Sequence, residues 1–239
     1  GKQYAPLRSD ATILQSFALG GLSEAWGGVC DFFDDEECRA VGIPPEELSR
    51  HYTVIVERIG VSGPGGPFPL QDAAKIDENA ESILRTYTSR RERVMRDGFT
   101  LSKASLALLT QDLGSRKKTA YRDMDFWDNI GRSVYRGHYT LEELLVHENF
   151  SYLPDMLVTS VQEHGDIAEV SAVSTHSNEM HTFTAKAVIV AAGAINTTRI
   201  LLRSFKLFER PTPVILKNNY LVPCLMLGKI GRAVIHPQR

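Results

Sequence analysis

Residues 188–202 read VIVAAGAINTTRILL, and this stretch decides the fold class. The apolar run 187–191 does not alternate with polar residues, which predicts a strand buried on both faces. The next three residues, Ala192, Gly193 and Ala194, predict a tight turn into a helix over 195–204. Small residues at such a turn let a phosphate or ribose reach the free N–H groups at the helix start, although close helix–strand packing explains them equally well.

The chain before this stretch predicts an antiparallel meander. Alternation of apolar and polar residues indicates three strands, over 152–161, 167–174 and 180–186. Turn residues separate the strands at 164–166 and 175–179. Meander, buried strand, glycine turn and helix together predict an α/β fold with an incomplete, Rossmann-like FAD/NAD(P)-binding domain.

The first half of the chain is predicted to be mostly helical. Apolar residues recur at helical spacing over 45–59 and 72–97, with a loop at 62–67. Thr140 and Glu143 have the spacing of a capping box, which predicts a helix from Thr140 to His147. Two further segments are a strand or helix over 11–19, which periodicity does not decide, and a strand over 221–227.

A glycine-rich loop at residues 18–28 is the second candidate for a ligand site. Four glycines within nine residues permit positive φ and a close approach of the backbone to a flat or charged ligand. Ser23 adds a hydroxyl group and Trp26 a flat aromatic face. The spacing matches neither GxGxxG nor a Walker loop, so a purely structural loop is the alternative.

The two stretches together resemble the glucose–methanol–choline (GMC) oxidoreductases, a family of FAD-dependent enzymes. Residues 20–27 are similar to the GGLSxxWG loop of a bacterial branch, and residues 191–204 resemble the family's AAGAxxTxxLLLxS segment. The resemblance also places Val158 on the strand whose backbone meets the adenine. The cofactor-binding residues that it implies are Gly20, Gly21, Ser23, Trp26, Gly27, Val158, Ala192, Gly193, Ala194 and Thr197.

The resemblance implies oxidation of the CH–OH group of an alcohol or sugar-like substrate, with hydride transfer to flavin N5. The family's N-terminal GxGxxG unit and its C-terminal catalytic histidine are not found, and His236 lies too early for that role. We therefore expect a central fragment that binds FAD weakly or not at all, with no assignable catalytic base. A partner chain or self-association is expected to complete the fold. The expected domains are a FAD-binding portion over 1–204, with a helical insertion at about 60–135, and the start of a substrate-binding region over 205–239.

Two other functions remain open at this point. The segment from Gly21 to Ala25 is one residue short of a nucleophile elbow, so Ser23 is the candidate nucleophile of a serine hydrolase. His138, His181 and His236 are then available as bases. The other alternative is a non-catalytic remnant or binding module of flavoprotein ancestry.

Composition and charge argue against a cysteine-based metal site and against membrane helices. The chain has 27 Lys and Arg against 29 Asp and Glu, a net charge of −2. The three cysteines, Cys30, Cys38 and Cys224, have no metal-site spacing, and so few thiols are typical of a reducing, cytoplasmic setting. No apolar run is long enough for a membrane helix, and no signal peptide is visible.

Residues 85–122 form a strongly basic stretch, with ten Lys and Arg against three acids. No zinc-finger, helix-turn-helix or RNP-type motif accompanies this excess, so nucleic-acid binding is not expected. A solvated helix face or a surface near an anionic ligand is the preferred interpretation. The aromatic residues Tyr121, Phe126, Trp127 and Tyr135 are predicted to be core or lid contacts.

Overall fold

A computed structural model describes residues 14–68, 70–122, 129–213, 228, 230 and 231. These residues form a mixed α/β structure with six helices, a two-stranded parallel sheet and a three-stranded antiparallel meander. The described part of the chain contains no helix that is long and apolar enough to cross a membrane. Several predicted features lie outside the described residues, namely the strand over 221–227, Phe126, Trp127, Cys224 and His236.

The described residues form two compact units: those up to Val146 together with residues 228, 230 and 231, and those from His147 to residue 213. The domain boundary expected at residue 204 stays a prediction.

The described residues of the first unit form five helices and a short sheet. Its helices are α1 (Asp35–Ala40), α2 (Pro45–Ile59), α3 (Glu78–Ser89), α4 (Arg91–Arg96) and α5 (Gly137–Leu144). A 3₁₀ turn spans Gly21–Glu24, and strands β1 (Ser62–Gly63) and β2 (Gln71–Asp72) pair in parallel.

The predicted helix over 45–59 is confirmed, with Pro45 in its first turn. The predicted helix over 72–97 is confirmed only in part, because it divides into α3 and α4 at Arg90. Helix α3 starts late, at Glu78, since the side chain of Asp77 accepts the N–H of Ala80 at 2.8 Å and caps it there. The part of the 11–19 segment that is described, residues 14–19, forms neither a strand nor a helix.

The core of the first unit is built around residues 105–109, which run between two other segments. The backbones of Leu106 and Ser62 exchange two hydrogen bonds of 2.8 Å, and Tyr135 N donates to Ala107 O at 2.8 Å on the other side. Leu109 in this segment is completely buried. Residues 105–109 therefore lie between Ser62, which follows α2, and residues 133–135.

Arg116 is a buried cation that joins these segments. Its guanidinium donates to the carbonyl oxygens of Ile59 at 2.6 Å, Arg132 at 2.9 Å and Ser133 at 3.4 Å. It also lies over the rings of Tyr135 and Tyr139, 5.5 and 5.7 Å from their centroids. Burial lowers the pKa of Arg116, but a guanidinium remains charged at neutral pH. One side chain thus ties the end of α2 to the segment that precedes α5.

Asn129 closes the turn that leads into this segment. Its backbone is left-handed, with φ of +44°, a conformation that asparagine tolerates better than most residues. Its amide group donates to Val134 O at 2.8 Å and to the hydroxyl of Tyr139 at 2.7 Å, while its carbonyl oxygen accepts Val134 N–H at 2.9 Å. These bonds fix residues 129–134 against α5.

The described residues of the second unit form a meander and one helix. Strands β3 (Met156–His164), β4 (Ile167–Ser174) and β5 (Met180–Ala185) pair in the order β3-β4-β5, followed by helix α6 (Ala194–Ser204). Gly165 in the first turn has φ of +62°, and the second turn places Asn178 at +61°. Helix α6 is tied to β3 through Ser204, whose hydroxyl oxygen accepts Val161 N–H at 2.8 Å. The predicted meander and the predicted helix after Gly193 are both confirmed.

The buried strand predicted over 187–191 is wrong. These residues form no strand, and the side chain of Ile189 is 92% exposed. A strand needs a neighbour for its N–H and C=O groups, and β5 is the last strand in the order of the described sheet. Apolar, β-branched sequence alone therefore does not make a strand here. The mixed α/β class holds, while the Rossmann-like identification rests on the sequence only.

We expect the Cys38 thiol to resist alkylation in the folded protein. Its side chain is 2% exposed, and burial together with the nearby carboxylates of Asp35, Asp34 and Glu37 raises its pKa. Since the thiolate is the reactive form, we expect modification by iodoacetamide to be about tenfold slower, or more, than in the urea-unfolded chain. Peptide mass mapping measures the rate at Cys38 separately from Cys30. Equal rates in the folded and unfolded protein would contradict this packing.

Candidate functional site

The glycine-rich loop of residues 18–28 has the backbone conformations that its sequence predicts. Gly20, Gly21 and Gly28 have φ of +90°, +61° and +71°, values that favour glycine. Gly20 precedes the 3₁₀ turn Gly21–Glu24, and Gly21 N donates to Ala18 O at 2.8 Å. The loop therefore folds back on itself within a few residues.

Ser23 connects this loop to the start of helix α5. Its hydroxyl donates to Gly20 O at 2.6 Å and accepts the N–H of Gly137 at 2.7 Å. The N-terminus of α5 is thus satisfied by a side chain that lies 114 residues earlier in the chain. This explains why the helix begins at Gly137 and not at Thr140, so the predicted capping box is wrong. Thr140 is instead bonded to the hydroxyl of Tyr135 at 2.8 Å.

Trp26 and Glu24 attach the loop to the same segment. The indole N–H of Trp26 donates to Tyr135 O at 2.8 Å. Glu24 lies 2.6 Å from Nδ1 of His138 and 3.5 Å from the guanidinium of Arg136. Residues 135–138, which we name the clamp segment, hold the loop through a hydroxyl, an indole and a carboxylate.

The loop glycines divide into packed and open positions. A Cβ on Gly20 would overlap Glu24 Oε1 and crowd His138 N, and a Cβ on Gly137 would lie 3.4 Å from Gly20 Cα. In contrast, a Cβ on Gly21 or on Gly27 would meet nothing within 4 Å. The open face for a ligand is therefore at Gly21 and Gly27, whereas Gly20 serves the contact with the clamp segment.

The glycine turn before α6 is the second predicted element, and it lies in the second unit. Gly193 has φ of +78°, and a Cβ there would also meet nothing within 4 Å. The N-cap residue of α6, Gly193, has no side chain to cap the helix, and residues 191–194 are exposed. Thr197 accepts the N–H of Ala192 through its hydroxyl at 3.0 Å, which fixes the turn.

Asn196, in the first turn of α6, adds an unusual feature. Its Oδ1 atom is buried and has no hydrogen-bond partner among the described residues. Buried polar atoms are nearly always bonded, so this unpaired acceptor is an exception among the described residues. Asn196 belongs to the same AINT segment as Thr197, one of the predicted site residues.

Val158 lies on β3, half-buried and paired with Ala172. The register against β4 shifts between Val158 and Ser160, so Thr159 stands outside the pairing and its hydroxyl donates to Ser171 O at 3.1 Å. Bulges of this kind interrupt the ladder and redirect nearby groups.

The predicted site residues thus form two groups, one in each unit. Gly20, Gly21, Ser23, Trp26 and Gly27 lie together on the glycine-rich loop. Val158 and the residues from Ala192 to Thr197 belong to the second unit. Sequence reasoning missed the clamp segment. The sequence feature that could have indicated it is Gly137, because the absence of a side chain permits the close approach to Gly20.

The described residues contain no cluster of His, Cys, Asp and Glu that could hold a metal ion. Neither a comparison with protein-family models nor one with curated proteins finds a match to this chain. The resemblance to the GMC oxidoreductases therefore stays a prediction from the sequence.

Proposed function

We propose that this chain forms part of the FAD-binding region of a flavin-dependent oxidoreductase that acts on the CH–OH group of an alcohol or sugar-like substrate. The observation that carries the proposal is the turn at Gly193. It combines positive φ, open space at Cβ and exposed small neighbours at the start of a helix. Such a turn suits a phosphate-bearing cofactor because free N–H groups and the helix dipole both favour negative charge.

The residues present fit an FAD molecule in part. In the second unit, the exposed backbone at Ala192, Gly193 and Ala194 would hold the diphosphate or ribose. The glycine-rich loop of the first unit is a separate candidate, since Gly21 and Gly27 have open backbone that suits a flat ring. The hydroxyl of Ser23 and the indole N–H of Trp26 are already bonded within the protein, so they position the loop and do not themselves donate to the cofactor.

When bound, FAD supplies the hydride acceptor. The chain's own residues then orient the cofactor and shield it from water, as is usual in cofactor enzymes. The Trp26 ring is held in one orientation by its bond to Tyr135, and the clamp segment keeps the glycine-rich loop from opening. No described residue is assigned as the catalytic base.

The turn at Gly193 is tested by substitution. We expect FAD, titrated into ¹⁵N-labelled protein, to shift the amide resonances of residues 192–197, and Gly193→Val to weaken this binding about tenfold or more because its side chain enters the open space. Gly165→Val is the matched control, since Gly165 also has positive φ and open space but lies in the β3–β4 turn. Absence of shifts at millimolar FAD, or equal loss in both variants, would overturn the proposal.

The reaction itself needs a separate test on the FAD-loaded protein. Because no catalytic base is assigned among the described residues, we expect the FAD-loaded chain by itself to be inactive, so that an anaerobic panel of alcohols and polyols leaves the long-wavelength flavin band unchanged. Bleaching by one of these alcohols would show that the chain carries its own base. No described contact favours the serine hydrolase hypothesis, because the Ser23 hydroxyl donates its proton to Gly20 O.

A further inference from the structure

The first unit contains a cavity of about 770 Å³ that is separate from the glycine-rich loop. It is lined by α3, by the first residue of α4, and by residues of the loops at 64–73 and 100–103. Its volume is within the range of small-molecule sites. Apolar side chains form most of its wall, among them Leu84, Tyr87 and Leu101.

Two cations line this cavity, and no acidic residue does. Arg91 and Lys103 both contribute to the wall. Lys103 is held in place because its ammonium donates to Ala74 O at 3.2 Å, next to the lining residue Ala73. Arg91 has no hydrogen bond or ion pair within the described ranges. A guanidinium with its five donors uncommitted is suited to a carboxylate or a phosphate.

Two hydroxyl groups of the cavity wall differ in whether they can donate a hydrogen bond to a ligand. Thr88 already donates to Leu84 O at 2.9 Å, so it has no proton left for an anion. Ser102, next to Lys103 in the chain, has no such bond to a described residue and can donate. The wall therefore offers donors at Arg91, Ser102 and Lys103, together with apolar groups from α3 and from Leu101.

We propose that this cavity binds a small amphipathic organic anion, with its carboxylate or phosphate head between Arg91 and Lys103 and its apolar body against Leu84 and Leu101. Arg91 and Lys103 belong to the basic stretch over 85–122, whose excess of seven positive charges raises the local concentration of anions. The proposal does not rest on flavin binding, because its residues are distinct from those of the glycine turns.

The experiment compares three probes that share one alkyl chain. Octanoate and octyl phosphate carry the two possible head groups, and octan-1-ol is their neutral equivalent. By isothermal titration calorimetry we expect both anions to bind at least tenfold more tightly than the alcohol. The ratio of the two anion affinities shows which head group the site prefers.

The variants separate a built site from diffuse electrostatics. We expect Arg91→Gln to weaken anion binding about tenfold and to leave octan-1-ol unchanged, and Arg91→Lys to restore part of the loss. Arg96→Gln is the matched control, as it removes the same charge from the same helix outside the cavity wall. Equal weakening by Arg91→Gln and Arg96→Gln, or anions that bind no better than the alcohol, would overturn the proposal. Circular dichroism checks that each variant keeps its helices.

Discussion

Replacing Arg116 with methionine is expected to lower the free energy of unfolding by about 3 kcal/mol. The substitution keeps a long apolar side chain but removes the donors to Ile59 O, Arg132 O and Ser133 O. Arg116 is 7% exposed, so water does not readily replace these bonds. Urea unfolding followed by circular dichroism measures the change.

Two further variants show whether the geometry or the charge of Arg116 matters. Arg116→Lys keeps the positive charge, but an ammonium group does not reach all three carbonyl oxygens as the wider guanidinium does. We therefore expect an intermediate loss of folding free energy. Arg93→Met is the control, because Arg93 is exposed on α4. If Arg116→Met is no more destabilising than Arg93→Met, the buried guanidinium does not join these segments.

The elements that were predicted correctly are those that depend on residues close to one another in the chain. Helix α2 has its proline start and its apolar face within fifteen residues, and the meander has its turn residues at Gly165 and Asn178. Helix α6 follows its glycine turn as expected. In each case the residues that decide the structure are close together in the chain, so periodicity and turn chemistry are sufficient.

Elements that depend on distant partners were not predicted. Residues 187–191 have the composition of a buried strand, but a strand forms only where a neighbour pairs with it. Helix α5 begins three residues before its apparent capping box, because the hydroxyl of Ser23 caps it from the other end of the unit. The residues of the basic stretch also differ in their surroundings, which the sequence does not show. Arg116 is buried, whereas Arg91 lines a cavity.

The glycine-rich loop illustrates the same distinction within the candidate site. Its sequence predicted positive φ at Gly20 and Gly21, and both have it. The resemblance also implied that Gly20 binds the cofactor. The structure places Glu24 and His138 there instead, so Gly20 and Gly21 have different roles despite being adjacent and similar in conformation.

Gly20→Val and Gly21→Val are therefore expected to differ in effect. Gly20→Val combines left-handed strain with overlap against Glu24 and His138, and we expect it to cost about 3 kcal/mol of folding free energy. Gly21→Val meets no neighbour, so only the strain of about 1–2 kcal/mol applies. Chemical denaturation of the two variants under identical conditions measures the difference.

The same pair separates a structural role of the loop from a role in binding. In the Gly20 variant, we expect the Trp26–Tyr135 and Ser23–Gly137 bonds to weaken together, with loss of protection of the Gly137 amide in hydrogen exchange. In the Gly21 variant, that amide stays protected while any FAD-induced shifts in the loop disappear, because the new side chain covers the open face. Equal protection of Gly137 in both variants would show that the packed position is not Gly20. FAD-induced loop shifts that persist in the Gly21 variant would show that the flavin does not bind at this open face.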